Sequence, residues 1–284
     1  MSQAHPILLG IDGGGTSCRA ALLAGGVRHE VTLGPANVST DFDAAIQTIT
    51  RVLDQVTAKA GLRTDALRDA PAHLGLAGVM GDAIAARVAA ALPMTRAAVT
   101  DDRPTTIAGA LGDADGSVAA IGTGSFIGRQ QAGRIDGVGG WGFYLGDQAA
   151  GAWLMRRCLE ETLLAADALR PATPLTDAML AEHGRDPSRI VQFSLTAQPA
   201  DYARLARHVV GFAGRGDPLG RALMEEGAAY IRASLTRLGW TNAEPLVFTG
   251  GLGPAYAAHM GLPVTAPQGT ALDGALILAG RAAP

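Results

Sequence analysis

The N-terminal third alternates between short apolar runs and glycine turns. Ile7 to Ile11, Cys18 to Leu23 and Val27 to Leu33 read as strands joined by Gly13-Gly14-Gly15-Thr16 and Gly25-Gly26. Because the residues after Thr16 continue as a strand, the glycines sit in an antiparallel hairpin and not in a strand-to-helix dinucleotide turn. The period then changes to that of a helix over about 41–60, with Ile46, Ile49, Val52, Leu53 and Val56 on one face, Ser39 or Thr40 as cap and Gly61 as stop. A strand at 72–77, a helix at 82–92, a strand at 97–100 and a helix after Asp101-Asp102-Arg103-Pro104 complete an alternating half.

The design then starts again. Val118 to Ile127, with Gly122-Thr123-Gly124-Ser125 at its centre, repeats the order apolar strand, glycine and hydroxyl turn, strand. Helices are expected at about 147–169, 175–183, 201–213 and 218–238, followed by a strand at 245–248, a turn at Thr249-Gly250-Gly251-Leu252-Gly253, a short strand near 263–265 and a closing helix at 272–279. This pattern predicts an α/β protein of two duplicated domains, 1–115 and 116–284. The second carries a helical insertion, and the last helix, about 270–284, packs back on the first. The two glycine hairpins are expected to face each other across a cleft.

Composition narrows the function. Of 284 residues, 48% are hydrophobic and 17% charged, which describes a folded chain. A net charge of −3 without a basic stripe makes nucleic acid and membrane surfaces poor partners. Lys59 is the one lysine, so a Walker A loop is absent and any phosphate must be held without lysine. Cys18 and Cys158 stand far apart, and the histidines show no finger or H-E-x-x-H spacing, against structural zinc or an iron–sulfur cluster. No leader-like or membrane-spanning run appears, and a cytoplasmic protein is expected.

The candidate chemistry lies in the turns. Gly13, Gly14 and Gly15 let backbone N–H groups converge on an anion, and Thr16 adds a hydroxyl. Asp12, beside them, suits Mg²⁺ held directly or through water, because a bare carboxylate would repel phosphates. A tight turn capped by an aspartate is the plain alternative; Gly122, Thr123 and Gly124 repeat the chemistry and favour a second phosphate clamp. Gly250 and Gly251 leave room for a base or ribose, with a simple strand-to-helix turn as the plain alternative and, without the other two motifs, the preferred one. Of Asp101 and Asp102, one suits a helix cap and the other a general base. Gly140, Trp141, Asp147 and Gln148 combine a glycine loop, an aromatic face and polar groups suited to a sugar, as does Asn37; a packed connecting loop and a turn residue are the respective alternatives.

Together these motifs resemble the actin-like (ribonuclease H-like) ATPase superfamily, and within it the BadF/BadG/BcrA/BcrD-type ATPases in the branch of N-acetylglucosamine and glucosamine kinases. The resemblance spans nearly the whole chain. Gly10 to Thr16 is similar to the first phosphate motif, Ile121 to Ser125 to the second, Thr249-Gly250-Gly251 to the adenosine motif. Gly140-Trp141-Gly142 and Gly146 to Ala152 are similar to the kinase branch. It implies ATP- and Mg²⁺-dependent phosphorylation of an amino sugar at its 6-hydroxyl, with Asp102 as base and Asp101 as fallback, and Asn37, Ser125, Gly140, Trp141, Asp147 and Gln148 around the sugar. Several relatives carry Asp-Glu where this chain has Asp147-Gln148, which bears on the C1 or C2 substituent. A homodimer through the helical half is an accompanying expectation. The rival expectations are an ATPase that activates a partner reductase, a sugar-responsive repressor, and a kinase for another hexose. The first needs cluster-binding cysteines, yet Ile121 precedes Gly122 and Cys18 lies within a strand; the second needs a DNA-binding extension.

Overall fold

A computed structural model describes residues 7–282 and divides them into two compact units. Unit 1 holds the described parts of Met1–Asp115, Gln130–Ile135 and Pro267–Pro284; unit 2 holds Gly116–Arg129 and Asp136–Ala266.

In unit 1, β1 (Leu8–Gly13), β2 (Cys18–Ala24) and β3 (Val27–Leu33) form an antiparallel meander. The strands β4 (Ala72–Leu76) and β5 (Ala97–Thr100) extend it in parallel with β1, giving the order β3-β2-β1-β4-β5. The helix α1 (Phe42–Lys59) buries Ile49, Val52, Leu53 and Val56, each such side chain contributing about 1.5–3 kcal/mol. They join Leu9, Ile11, Leu22 and Leu74 in one core. The N-cap of α1 is Asp41, whose carboxylate accepts from the Ala44 N–H at 2.9 Å, and not Ser39 or Thr40. Ser39 is already committed, since its N–H and hydroxyl both donate to Asn37 Oδ1. After α2 (Asp82–Ala90) comes α3 (Asp102–Leu111), capped by Asp101.

Unit 2 repeats the strand order. The strands β6 (Gly116–Ile121), β7 (Ser125–Gln131), β8 (Arg134–Gly139) and β9 (Leu246–Thr249) form a sheet ordered β8-β7-β6-β9, with β6 and β9 parallel. Sequence pattern had not marked β8, whose polar residues are mostly exposed. The helices are α4 (Gly151–Ala166), α5 (Pro174–Glu182), α6 (Pro187–Thr196), α7 (Pro199–Gly214), α8 (Pro218–Arg237) and α9 (Gly253–Met260). Helix α4 begins at 151 instead of 147, because Asp147 and Ala149 take left-handed φ angles of 55° and 71° that break the helical path. Helix α6 was also unmarked; it is short and starts at a proline under the Asp186 cap. The strand expected near 263–265 does not form. Thr265 N–H reaches Leu246 O at 2.8 Å, but Pro263 and Pro267 have no N–H to extend a ladder.

The last helix, α10 (Ala271–Arg281), belongs to unit 1. Its approach depends on glycine: a Cβ at Gly10 would stand 2.8 Å from Leu276 N, and one at Gly109 or Gly274 would run into the carbonyls of Thr270 or Thr105. Residues 283–284 of the expected closing segment lie outside the described residues. Among the described residues, no helix is long and apolar enough to cross a membrane.

Candidate active site

The parallel strands β1, β4 and β5 point their carboxyl ends the same way, with Asp12, Gly75 and Thr100 level in register. Everything singled out in unit 1 lies just beyond that line, where open α/β sheets place their ligands. Gly14 N–H donates to Ser17 O at 2.8 Å and closes the first hairpin, which leaves Gly15 and Thr16 exposed at its tip. The loop carrying Asn37 is tied to the same end, since Ala36 N–H donates to Gly14 O and Val38 N–H to Ala77 O. Asn37 Oδ1 accepts from the Ser39 N–H and hydroxyl, so the oxygen shapes the loop as a turn residue does.

The two adjacent aspartates have separated roles. Asp101 caps α3, accepts from Arg103 N–H at 2.9 Å and pairs with the Arg103 guanidinium at 2.7 Å, which holds its carboxyl below the usual range despite burial. Asp102 has the opposite shift: burial raises its pKa, and the nearby carboxylates of Asp101 and Asp12 raise it further. A half-buried carboxyl with raised affinity for a proton is the form a general base takes. Behind it, Thr100 Oγ1 donates to Asp101 O at 2.7 Å and so accepts from the His73 ring at 3.1 Å. Burial lowers the His73 pKa to about 4, so this imidazole is neutral at pH 7.

Asp12 pairs with Arg19, its cross-strand partner in the hairpin. Sequence reading missed Arg19, although the tight turn puts it opposite Asp12. Among the described residues no group of three or more metal-binding side chains occurs. Mg²⁺ does not need one, because it keeps several waters and takes one or two carboxylates together with substrate phosphates. Asp12, with Asp102 close enough to feel its charge, offers such a donor set.

Unit 2 gathers the remaining residues. Its glycine hairpin is anchored from below: Gly122 O accepts from Gly151 N–H at 2.8 Å and Thr123 O from Ala152 N–H at 3.3 Å. The first turn of α4 thus holds the loop and directs a helix N-terminus, favourable for anions, toward it. The Gly250-Gly251 turn after β9 docks beside it. Leu252 N–H donates to Ile121 O at 3.0 Å, and a Cβ on Gly250, which has φ 80°, would collide with that same carbonyl. Between them lies a cavity of about 410 Å³, lined by Gly122, Thr123, Gly251, Leu252 and, from α7, Arg204 and Arg207. The two arginines were not found in the sequence, where they look like any solvated helix face.

A second cluster in the same unit joins Ser125, Gly140, Trp141, Asp147 and Gln148. Ser125 Oγ donates to Gln148 O at 2.6 Å, Gly140 N–H donates to Ser125 O at 3.0 Å, and Asp147 Oδ1 accepts from Gly142 N–H at 3.2 Å. Burial raises the Asp147 pKa, countered by backbone N–H bonds. The left-handed residues on either side of Gln148 mark a strained turn of the kind that persists where surroundings hold it. Trp141, by contrast, is 76% exposed and presents its indole freely.

Two sheets of matching strand order, each ending in a glycine hairpin, define an ATPase of the actin-like class. The chain belongs to the BadF/BadG/BcrA/BcrD ATPase family, whose pattern matches residues 9–262. It is 32% identical over 280 residues to the glucosamine kinase GspK of Vibrio cholerae, covering 96% of this chain and 95% of that one. The crystal structure of a putative N-acetylglucosamine kinase from Chromobacterium violaceum superposes with a TM-score of 0.79 at 33% identity, covering 96% and 99% of the two chains. At 16% identity and a TM-score of 0.55, covering 95% and 97%, the ROK hexokinase of Thermus thermophilus shares the fold. The chain is a carbohydrate kinase.

Proposed function

We propose that the protein transfers the γ-phosphoryl group of ATP to the 6-hydroxyl of an amino sugar, D-glucosamine or N-acetyl-D-glucosamine, in the cytoplasm. The observation that carries this reading is Asp102, a proton-hungry carboxylate at the start of α3 beside the phosphate hairpin. Its oxygen accepts the hydroxyl proton as O6 bonds to the γ-phosphorus and the bond to the β,γ-bridging oxygen breaks, releasing ADP. Asp101 does not serve, because Arg103 and the α3 N-terminus occupy it.

Phosphoryl transfer passes through a loose transition state and needs positioning and charge neutralisation more than covalent help. Each unit brings its own hairpin of donors suited to phosphate oxygens, Gly15 and Thr16 in unit 1 and Thr123 and Gly124 in unit 2, and Gly250 and Gly251 make room for adenosine. Mg²⁺, when bound at Asp12, spreads the charge of the phosphates. For a hexosamine, Asn37 in unit 1 offers an amide, and Asp147 with the Trp141 face in unit 2 offers an acceptor and an apolar surface.

The test is ADP release from Mg·ATP with glucosamine, N-acetylglucosamine, glucose and no sugar, in the wild type and Asp102→Asn. Release that depends on one amino sugar and falls by about 10²–10⁴ in the variant supports the reading. Release indifferent to every sugar would sink it.

A further inference from the structure

Among the described residues His73 is the one buried histidine, and no step of the phosphoryl transfer uses it. Strand register fixes where it stands. His73 is level with Gly10 and Ala98, and Gly75 with Asp12 and Thr100, so by the two-residue period His73, Gly75, Thr100 and Asp12 share one face of the sheet in unit 1. Helices α3 and α10 cover that face: a Cβ at Gly75 would meet the Thr105 side chain, and one at Gly10 the backbone of Leu276. An imidazole buried there needs a polar partner, where a leucine would need none. Its partner is Thr100, the next residue on that face toward the carboxyl end of β5.

The Thr100 hydroxyl has a single proton, and it points to Asp101 O at 2.7 Å; toward the ring, at 3.1 Å, its oxygen can only accept, so the neutral imidazole carries its proton on Nε2. The Asp101 carbonyl belongs to the peptide whose nitrogen is that of Asp102. On the other side, the Asp102 carbonyl accepts from the hydroxyls of Thr105 at 3.0 Å and Thr106 at 2.8 Å. Both peptides flanking Asp102 are thus tied down in the first turn of α3, the part of a helix that otherwise frays. We propose that His73 is a positioning residue for the base: its Nε2–H fixes the Thr100 hydroxyl, which holds the peptide joining Asp101 to Asp102 so that the Asp102 carboxylate keeps the direction needed to take the sugar hydroxyl proton. This rests on the reading of Asp102 as base. His73 touches no substrate and moves no proton in this role. A misplacement of about 1 Å, arising far from the chemistry, lowers a rate by about 10²-fold, so a relay of two hydrogen bonds is enough to matter.

The experiment measures kcat, and KM for ATP and the amino sugar, in the wild type, in His73→Phe, which keeps a ring and removes the donor, and in His73→Gln, whose amide restores an N–H. His73→Phe is also combined with Asp102→Asn, and thermal melting follows every variant. The expected result is a fall in kcat of about 10- to 100-fold in His73→Phe with KM changed by less than about three-fold, most of it regained in His73→Gln, and no further fall when His73→Phe is added to Asp102→Asn. An unchanged kcat in a folded His73→Phe overturns the proposal, as does an equal loss in the Asp102→Asn background, which would make His73 a purely structural residue. Nitrogen NMR of the wild type with isotope-labelled histidine reads the relay without any substitution: a neutral ring protonated at Nε2 is expected, and one protonated at Nδ1 overturns the proposal even where the variants fail to fold. A wild type whose ADP release ignores every sugar overturns the kinase reading, and this proposal with it.

Discussion

Asp102, the proposed base, carries a cost in stability that its environment sets. Its folded pKa lies above the value it has in an unfolded chain, so the ionised form is disfavoured by folding. That cost is fully present above the folded pKa and vanishes as pH falls below the unfolded one. Asp102→Asn is therefore expected to melt higher than the wild type at pH 7, by about 2–4 °C for each kcal/mol relieved, while losing activity. The gap should close as pH is lowered through the carboxylate range; calorimetric melting between pH 7 and pH 4 reads it. A variant that melts lower at neutral pH would show that Asp102 is a structural cap. With Asp102 as the proposed base, the acid limb of kcat/KM in the wild type is expected to lie above that of an ordinary aspartate, which a pH profile of the rate reads.

Among the elements, α3 and α10 meet through glycine. Gly109 and Gly274 let the helices touch backbone to backbone, and no rotamer relieves a Cβ that meets a carbonyl. Gly109→Ala should cost about 1–3 kcal/mol by forcing α10 away, where an ordinary helical Gly→Ala change would add up to about 1 kcal/mol. Chemical denaturation distinguishes the two signs. Helix α10 is otherwise well specified: Thr270 and Asp273 form its capping box, and Asp273 also binds Arg28 at 2.5 Å. Elements built on a strong period with good caps, such as α1 and α8, were legible within two residues. Of those missed, β8 is short and carries little apolar pattern, while in α6 Val191, Phe193 and Leu195 alternate with polar residues as in a strand.

For the whole molecule, the consequential feature is that the last helix completes the first unit. Strand β1 is covered by α10 at Gly10 and Leu276, and α3 packs on the same helix. Ending the chain at Ala266 should therefore unfold unit 1 and deprive it of Asp12 and Asp102 geometry together. The expected outcome is loss of the cooperative melting transition of that unit and loss of sugar-dependent ADP release. Retention of both would mean that α10 is an accessory.

By itself the sequence determined the local chemistry of this protein. Strand, glycine turn, strand is encoded by alternation and by residues that alone tolerate such turns, so both hairpins, the Asp101-Asp102 pair and the Gly250-Gly251 turn were visible as candidates. Their repetition disclosed the duplicated design. What the tertiary structure decided was which atoms remain for function. Only packing reveals that Asp101 is spent on Arg103 while Asp102 is half-buried and proton-hungry, that Asn37 has already committed its oxygen, and that Asp147 precedes its helix in a left-handed turn. Arg19 and Arg207 were hidden for the same reason. An arginine on a strand or an amphipathic helix looks alike wherever it occurs, and what it faces across a hairpin or a cavity is set by long-range contacts that no local pattern records.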